Sequence, residues 1–507
     1  MVTNRREVTR PGTDSSGGLQ AVNRWGIHPS SGPAAVVRLV VIPRLSTAAA
    51  ALILGAAAGL LPPRLGIAFA AGAVAGVVIV VQPVLGLAAL TAAVPFGTSG
   101  DSESAVPITP TDLLVGLILL AALAGLLARR HRVVVLSRAF WPGVGFIAVS
   151  LLSASFATRF DVSLKEILRW IELLAILVIT ATWCREARQR YLVVGALLVS
   201  LTGEALLGWA QFFLRHGPPS FRIGPFLRAY GTFGQPNPFG GYLAMVLPVA
   251  IALAFWRRPW AGRPDRLTFL ALLSAVTGGI ALLMSLSRGA WMGILAGLAL
   301  LLWTQTRRGG LVVLAGLLLS GALAGLAVTH LLPATILGRL AQVVEYVGLF
   351  DASRVVPTAA NWAIVERMAH WQAAWNMYQA YPVLGVGPGH YALAYPTFRV
   401  NNFWLLPLGH AHNIYLNIMA ETGFLGIISY LVQLASWIAV IIAARRRAAT
   451  PRDRALATGI LASSVAVAIH NGFDNLYVHG LNAQLGLLVG LAAAIEHAEA
   501  RDERECA

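Results

Sequence analysis

Four arginines, Arg222, Arg228, Arg288 and Arg367, stand at the ends of apolar stretches or in the longest polar gap of the chain, all in gaps that the charge pattern below assigns to one face of a membrane, the outer. Positive charge is normally depleted from that face, so it needs a local reason. A guanidinium grips phosphate through two parallel N–H donors, and a lipid phosphate or diphosphate in the outer leaflet is the fitting anion. Two short motifs carry the same chemistry. The run Phe226 to Pro238 is dense in Pro and Gly, which forces an irregular loop before a helix whose free N-terminal amides favour an anion. Ser285-Leu286-Ser287-Arg288-Gly289 is a helix-to-helix corner with hydroxyls that can join such a site. The plainer reading of each feature is also physical: arginines snorkel to ordinary headgroups or pair with acids such as Glu366, and Ser and Gly satisfy the free backbone groups of two helix ends.

The elements that must position these residues follow from composition. The 507 residues are 57% hydrophobic and 12% charged, against about 25% charge in ordinary soluble domains. No water-soluble core hides that much apolar chain, so an all-α polytopic integral membrane protein is expected. The apolar stretches are continuous and do not alternate, which excludes a β-barrel. The formal charge of +16 sits in short gaps between apolar runs, where it reads as topology and not as a nucleic-acid surface. Two cysteines, Cys184 and Cys506, form no disulfide framework or metal site.

Residues 1–45 are polar and rich in Ser, Gly, Pro and Arg, and are expected to be a disordered cytoplasmic tail. Apolar segments fall near 46–61, 66–81, 83–96, 112–128, 139–156, 165–184, 190–213, 237–256, 267–285, 289–304, 310–332, 423–444, 454–471 and 480–497. The pair at 66–96 is short for a bilayer, so about 12–14 crossings are expected. Basic gaps at 129–132, 185–190, 257–266, 307–308 and 445–454 all thread to one face, which the positive-inside rule makes cytoplasmic. The resulting organisation is a transmembrane block 46–332, a large outer loop 333–411, C-terminal transmembrane helices 412–497 and a cytoplasmic tail 498–507. Within the loop Ile364, Met368, Trp371, Trp375 and Tyr378 recur at helical spacing, predicting a lid helix lying on the membrane segments. The run Pro382-Val383-Leu384-Gly385-Val386-Gly387-Pro388-Gly389 ends it with a turn.

The most informative string opens the span after that loop: His412-Asn413, nine residues, then Gly423-Phe424-Leu425-Gly426. It resembles the signature of the O-antigen ligase and Wzy-type O-antigen polymerase superfamily. Further residues are similar in order: Arg228, Gly231, Pro236 and Asn237; Ser287, Arg288 and Gly289; and Glu366, Arg367, Trp371, Pro382, Gly385 and Gly387. His390 departs from the pattern, where relatives often carry Asn or Asp. The resemblance spans roughly 190–430.

The resemblance implies a GT-C-like bacterial membrane glycosyltransferase of the cytoplasmic membrane with its active site on the periplasmic or extracellular face. Such an enzyme takes a glycan from undecaprenyl diphosphate and passes it to an acceptor hydroxyl on lipid, glycan or protein. Carried over residue by residue, Arg228 and Arg288 grip the diphosphate and His412 is the base. Asn413 orients the ring or the sugar, Arg367 closes over the donor from the lid, and Arg222, Ser287, Asn237 and Trp371 complete the substrate contacts. No metal or cofactor is implied, since Asp351, Glu366 and Asp474 form no paired-acid motif. Elsewhere, Arg169 and Glu172 are read as an ion pair on one helix, and Glu204 and Gln211 as hydrogen-bonding a neighbouring helix in preference to lining a donor cavity. His470, Asp474 and His479 crowd the last outer turn, as acceptor neighbours or as a helix cap. A membrane solute transporter is the competing class. It would show an inverted repeat and mid-bilayer polar residues, whereas the unusual charges here gather at the outer edge.

Overall fold

The computed structural model describes residues 63–97, 109–128, 134–223, 225–255, 265–305, 350–358 and 361–505. The chain divides into two compact units, Met1–Ala75 and Gly76–Ala507. Of the first, only the helical stretch from Pro63 is described; the helices from Pro83 onward belong to the second. The expected tail 1–45 and the expected crossings at 46–61 and 310–332 lie outside the described residues.

The protein is an all-α polytopic membrane protein. Its helices are α1 (Pro63–Val81), α2 (Pro83–Ala93), α3 (Pro110–Leu127), α4 (Phe140–Ala154), α5 (Phe160–Trp183), α6 (Ala187–Leu214), α7 (Pro236–Phe255), α8 (Arg266–Met284), α9 (Arg288–Gln305), α10 (Trp362–Ala380), α11 (Tyr391–Phe398), α12 (Ile414–Arg447), α13 (Pro451–His470) and α14 (Leu481–Glu505). A two-stranded ribbon, β1 (Arg222–Ile223) with β2 (Phe226–Leu227), is the sole sheet among the described residues. Among the described residues six helices, α3, α6, α7, α8, α12 and α14, are long and apolar enough to cross a bilayer, and α1, α2, α4 and α9 contain shorter apolar spans.

Helix starts follow local chemistry. Thr109 and Asp112 close a reciprocal capping box on α3, Asp265 caps α8 and Thr450 caps α13. Burial sorts the spans: the apolar windows of α7 and α14 are 83% and 89% buried, those of α3, α8 and α12 only 28–33%. The first pair therefore forms the centre, with α13 packed on α7 and α5 packed on α14. The second group carries exposed Leu, Phe and Val outward, as lipid-facing helices must.

Three expectations are refined or corrected. The chain after the large loop is helical already from Ile414, where Asn413 caps it, its Oδ1 accepting from the N–H groups of Tyr415 (3.0 Å) and Leu416 (3.1 Å); the break at Gly423 falls at the start expected for that span. Arg169 pairs with Glu166 (2.9 Å), not Glu172. The lid helix α10 exists, but its buried face is Val365, Met368, Ala369, His370, Ala373, Ala374 and Met377; of the expected stripe only Met368 is buried, Trp371 is half-buried and Trp375 is 46% exposed.

The lid is fixed to α12 at a break. Gly423 has φ +66° and ψ −161°, which interrupts the helix. The Pro382–Gly389 run lies into the gap: Val386 N–H donates to the Ala420 carbonyl (3.0 Å), Gly387 N–H to that of Glu421 (2.9 Å), and Phe424 N–H to that of Pro382 (2.8 Å). A Cβ on Gly385 would stand 2.3 Å from the Glu421 backbone, and one on Gly423 2.3 Å from the Val383 backbone. Two glycine motifs 38 positions apart are thus halves of one backbone-to-backbone joint. The buried His390 locks the same run to α5: its Nε2 accepts from Arg159 N–H (3.1 Å), and the Pro388 carbonyl accepts from Nδ1 (3.0 Å).

Candidate functional site

The site lies where the starts of α7, α9 and α12 meet the α13–α14 turn beneath the lid helix α10. His412 is held by four contacts. Its N–H donates to His410 Nδ1 (3.1 Å), its carbonyl accepts from Trp371 Nε1 (3.4 Å), and its Nδ1 stands 3.2 Å from Asp474 Oδ1. Its ring also meets that of His410 edge-on at 4.4 Å. The residue adopts φ +52°, a left-handed conformation that a histidine takes only when its surroundings enforce it. With a carboxylate at Nδ1 the proton resides there, and Nε2 is left as the atom able to accept another.

Burial alone pushes the Asp474 carboxyl up. The His412 hydrogen bond and the charges of His412, His410 and His470 outweigh it, and the group is held below the usual carboxylate range. His410 is pushed down to about 4, first by burial and then by the charge of His412, so its Nδ1 stays free to accept the His412 amide. Beneath them His370 is pushed down to about 3, by burial first; its Nδ1 meets the Tyr391 hydroxyl at 2.9 Å and its ring stacks on Tyr395 at 4.7 Å.

A cleft of about 360 Å³ opens onto this pair. His410, His412, Asp474 and His479 form one side, Gln235, Asn237 and Pro238 another, and Ala363, Glu366 and Arg367 the lid side. The Arg228 guanidinium backs the second wall, donating from Nε to the Ser285 carbonyl (2.8 Å) and from Nη2 to Asn237 Oδ1 (2.6 Å). Burial first, then the charges of Arg367 and Arg288 against the opposing pull of Asp474, lower its pKa to about 10. Arg228, Arg288 and Arg367 therefore sense one another's charge. Among the described residues none of the three has a carboxylate within ion-pair distance. Arg367 donates from Nη1 to the Ala363 carbonyl (3.3 Å), while its Nε is buried without a protein partner. Excess positive charge with an unspent donor in a half-buried cleft describes an anion site.

The expected site residues divide into those brought together and those left out. His412, Arg367 and Asn237 line the cleft, Arg228 stands behind Asn237, and Arg288 is electrostatically coupled to it. Trp371 braces the His412 carbonyl. Asn413 Oδ1 is occupied as the α12 cap, the buried Ser287 donates its N–H to Ser285 Oγ within the corner (3.2 Å), and Arg222 is exposed on the β1–β2 ribbon outside the cleft lining. Glu204 and Gln211 bond neither to a neighbouring helix nor into a cavity. They hold the loop after Arg228: Glu204 accepts from Thr232 N–H (3.0 Å) and hydroxyl (2.9 Å), and Gln211 bonds the Tyr230 and Gly231 backbone.

Asp474, read from the sequence as an acceptor neighbour or a helix cap, is the residue that meets His412 Nδ1, a link to a histidine 62 positions earlier that nothing in spacing shows. His410, His412 and Asp474 also bring one ligand atom each within 4.8 Å of one another, a set able to hold a metal ion and not foreseen from the sequence. The neighbouring guanidiniums oppose a cation there.

Fold and site together define a polytopic membrane protein with a lidded, arginine-rich cleft built around a His–Asp pair at one end of its bundle. Residues 273–431 match the family model described as O-Antigen ligase (Wzy_C), which supports the O-antigen ligase/Wzy superfamily for this chain. The matched stretch includes Arg288, Arg367, His412 and Gly423, and excludes Arg228 and Asp474. Among solved structures, a chain from "Structural coordination of polymerization and crosslinking by a peptidoglycan synthase complex" is similar at 16% identity and TM-score 0.39, covering 72% of this chain and 97% of that one. Likeness at that level carries no functional weight. No curated protein matches the chain.

Proposed function

We propose that the chain transfers a glycan from undecaprenyl diphosphate to an acceptor hydroxyl at the outer face of the bacterial cytoplasmic membrane, as a metal-independent ligase or polymerase. The observation carrying this reading is a cleft that joins a His–Asp pair to Arg367, with Arg228 behind Asn237 and Arg288 electrostatically coupled to both arginines, none of the three ion-paired among the described residues. His412 Nε2 takes the acceptor proton while Asp474 holds Nδ1–H. The acceptor oxygen forms its bond to the anomeric carbon as the bond to the diphosphate oxygen breaks, and the electron pair leaves with the diphosphate. Arg228, Arg288 and Arg367 stabilise that growing negative charge. The acceptor is a lipid, another glycan or a protein.

The test is transfer from a purified undecaprenyl-diphosphate-linked oligosaccharide in proteoliposomes, with donor binding measured alongside. A single addition identifies a ligase and a product ladder a polymerase. Donor binding without any transfer to lipid, glycan or protein hydroxyls would refute the reading.

A further inference from the structure

The loop between α11 and the cleft has an unusual surface. Phe403, Leu405, Leu406 and Leu408 are exposed by 55%, 56%, 72% and 40%, while Trp404 between them is buried among Ala352 and Val365, Met368 and Ala369 of the lid helix. Trp362 packs on both aromatic residues, at 5.7 Å from Phe403 and 5.0 Å from Trp404. The polar residues beneath are tied down: Phe403 N–H donates to Asn401 Oδ1 (3.0 Å), Arg399 Nη2 to Asn402 Oδ1 (2.9 Å), and the Tyr395 hydroxyl to the Trp404 carbonyl (3.2 Å). The apolar side chains are thus presented by a built loop with an indole anchor.

Its level in the protein is set by the cleft. Leu408 shares the cleft wall with Asn237 and Pro238, the first turn of α7. At 1.5 Å per residue, the 20 residues of α7 span roughly the 30 Å of a hydrocarbon layer, so that first turn marks a bilayer boundary. Leu405 and Leu406 lie within three residues of Leu408, at most about 11 Å along the chain. From Pro388 to Ala420 there is no acidic residue and one basic residue, Arg399. Aromatic and leucine side chains at a bilayer boundary, with no acid to repel anionic headgroups, suit insertion among lipid chains.

We propose that Phe403, Leu405, Leu406 and Leu408 form a membrane foot of the lid, inserted among the acyl chains of the leaflet next to the cleft. The foot holds the cleft mouth at headgroup level, where a lipid-anchored diphosphate arrives without leaving the bilayer. That consequence rests on the proposed function; the membrane contact does not.

The experiment places an environment-sensitive fluorophore on Leu406→Cys in the full-length protein, with Cys184→Ala and Cys506→Ala, in nanodiscs holding one copy each. Emission is expected to shift to the blue, with most of it quenched by phosphatidylcholine carrying a nitroxide near the top of its acyl chain and little by aqueous iodide. Free quenching by iodide with none by the nitroxide lipid overturns the foot. So does protection from iodide that appears only in crowded proteoliposomes, which would make a second copy the occupant. Leu393→Cys, 48% exposed, carries the same label if the first variant expresses poorly and tests whether the rest of the lid lies higher; equal lipid quenching at both sites overturns a local foot. Quenching is read without donor, so its failure is distinguishable from failure of glycan transfer.

Discussion

The two ends of the bundle use the same residue in opposite ways. At the end where α6 and α13 begin, Arg190 forms a two-pronged pair with Asp453 (3.1 and 3.0 Å), both almost fully buried, and Tyr191 and Thr450 donate to the same carboxylate. Nearby, Arg447 pairs with Glu496 (3.1 Å) and Arg452 with Asp265. At the lid end the charges of Arg228, Arg288 and Arg367 oppose one another, Arg228 bonds to the Ser285 carbonyl and Asn237, and Arg367 bonds to the Ala363 carbonyl. Paired charge ties helices together. Charge left unpaired in a cleft stores affinity for something absent from the protein itself, at the expense of local repulsion.

The sharpest test of that contrast is kinetic. His412→Ala should lower transfer about 10²- to 10⁴-fold, the usual worth of a general base. Donor binding should stay near wild type, while the loss of a partner for the buried Asp474 should lower thermal stability. Full transfer by a folded His412→Ala protein would make the histidine structural. Arg190→Ala should fail in the other way: it strands Asp453 and should cost about 3–5 kcal/mol in stability. Unfolding in detergent reads this, and donor affinity of the surviving folded protein should not move.

Arg367→Ala is expected to weaken donor binding by about 1.5–3 kcal/mol, the range for hydrogen bonds to charged groups, with no loss of stability. Lysine should restore part of the affinity, because it supplies charge without the fork. Equal destabilisation by Arg190→Ala and Arg367→Ala would erase the distinction between the two ends.

A smaller effect concerns pH. His410 is held at about 4 in the folded protein against about 6.5 in an unfolded chain. Between those values the unfolded state binds the extra proton, so stability should be intact above about pH 6.5 and fall as pH drops towards 4. Protonation at Nδ1 would also break the hydrogen bond from the His412 amide. Thermal unfolding from pH 4 to 7 should show the slope, and His410→Gln should make it shallower, leaving the share of His370, which burial also pushes down, to about 3. The smallest expected effect is that of a chelator, which should leave transfer unchanged. Loss of activity restored by Mg²⁺, Mn²⁺ or Zn²⁺ would mean that His410, His412 and Asp474 hold an ion.

Much of the architecture was legible because its cause is local. Continuous apolar runs give spanning helices whatever they pack against, and the gaps at 185–190 and 445–454 meet at one end of the bundle, as their charge required. The lid helix was legible as a helix, but its face was only partly so: burial there depends on what the helix packs against, and α10 buries Val365, Ala369, His370, Ala373, Ala374 and Met377 beside the expected Met368. The resemblance gave Asn413 the role of orienting the ring or the sugar, and in the structure its side-chain oxygen caps the helix it starts.

The sequence by itself determined the membrane class, the positions of most spans, the unusual arginines, and the histidine string with its family resemblance. Each of these is a property of composition or of residues close in the chain. Only the tertiary structure decided that Asp474 orients His412, that Gly385 and Gly423 are two sides of one joint, and that Glu204 and Gln211 serve the Arg228 loop. Those relations join residues far apart in the chain through hydrogen bonds of about 3 Å. Such contacts leave no periodicity or spacing to read, because packing alone sets which distant segments meet.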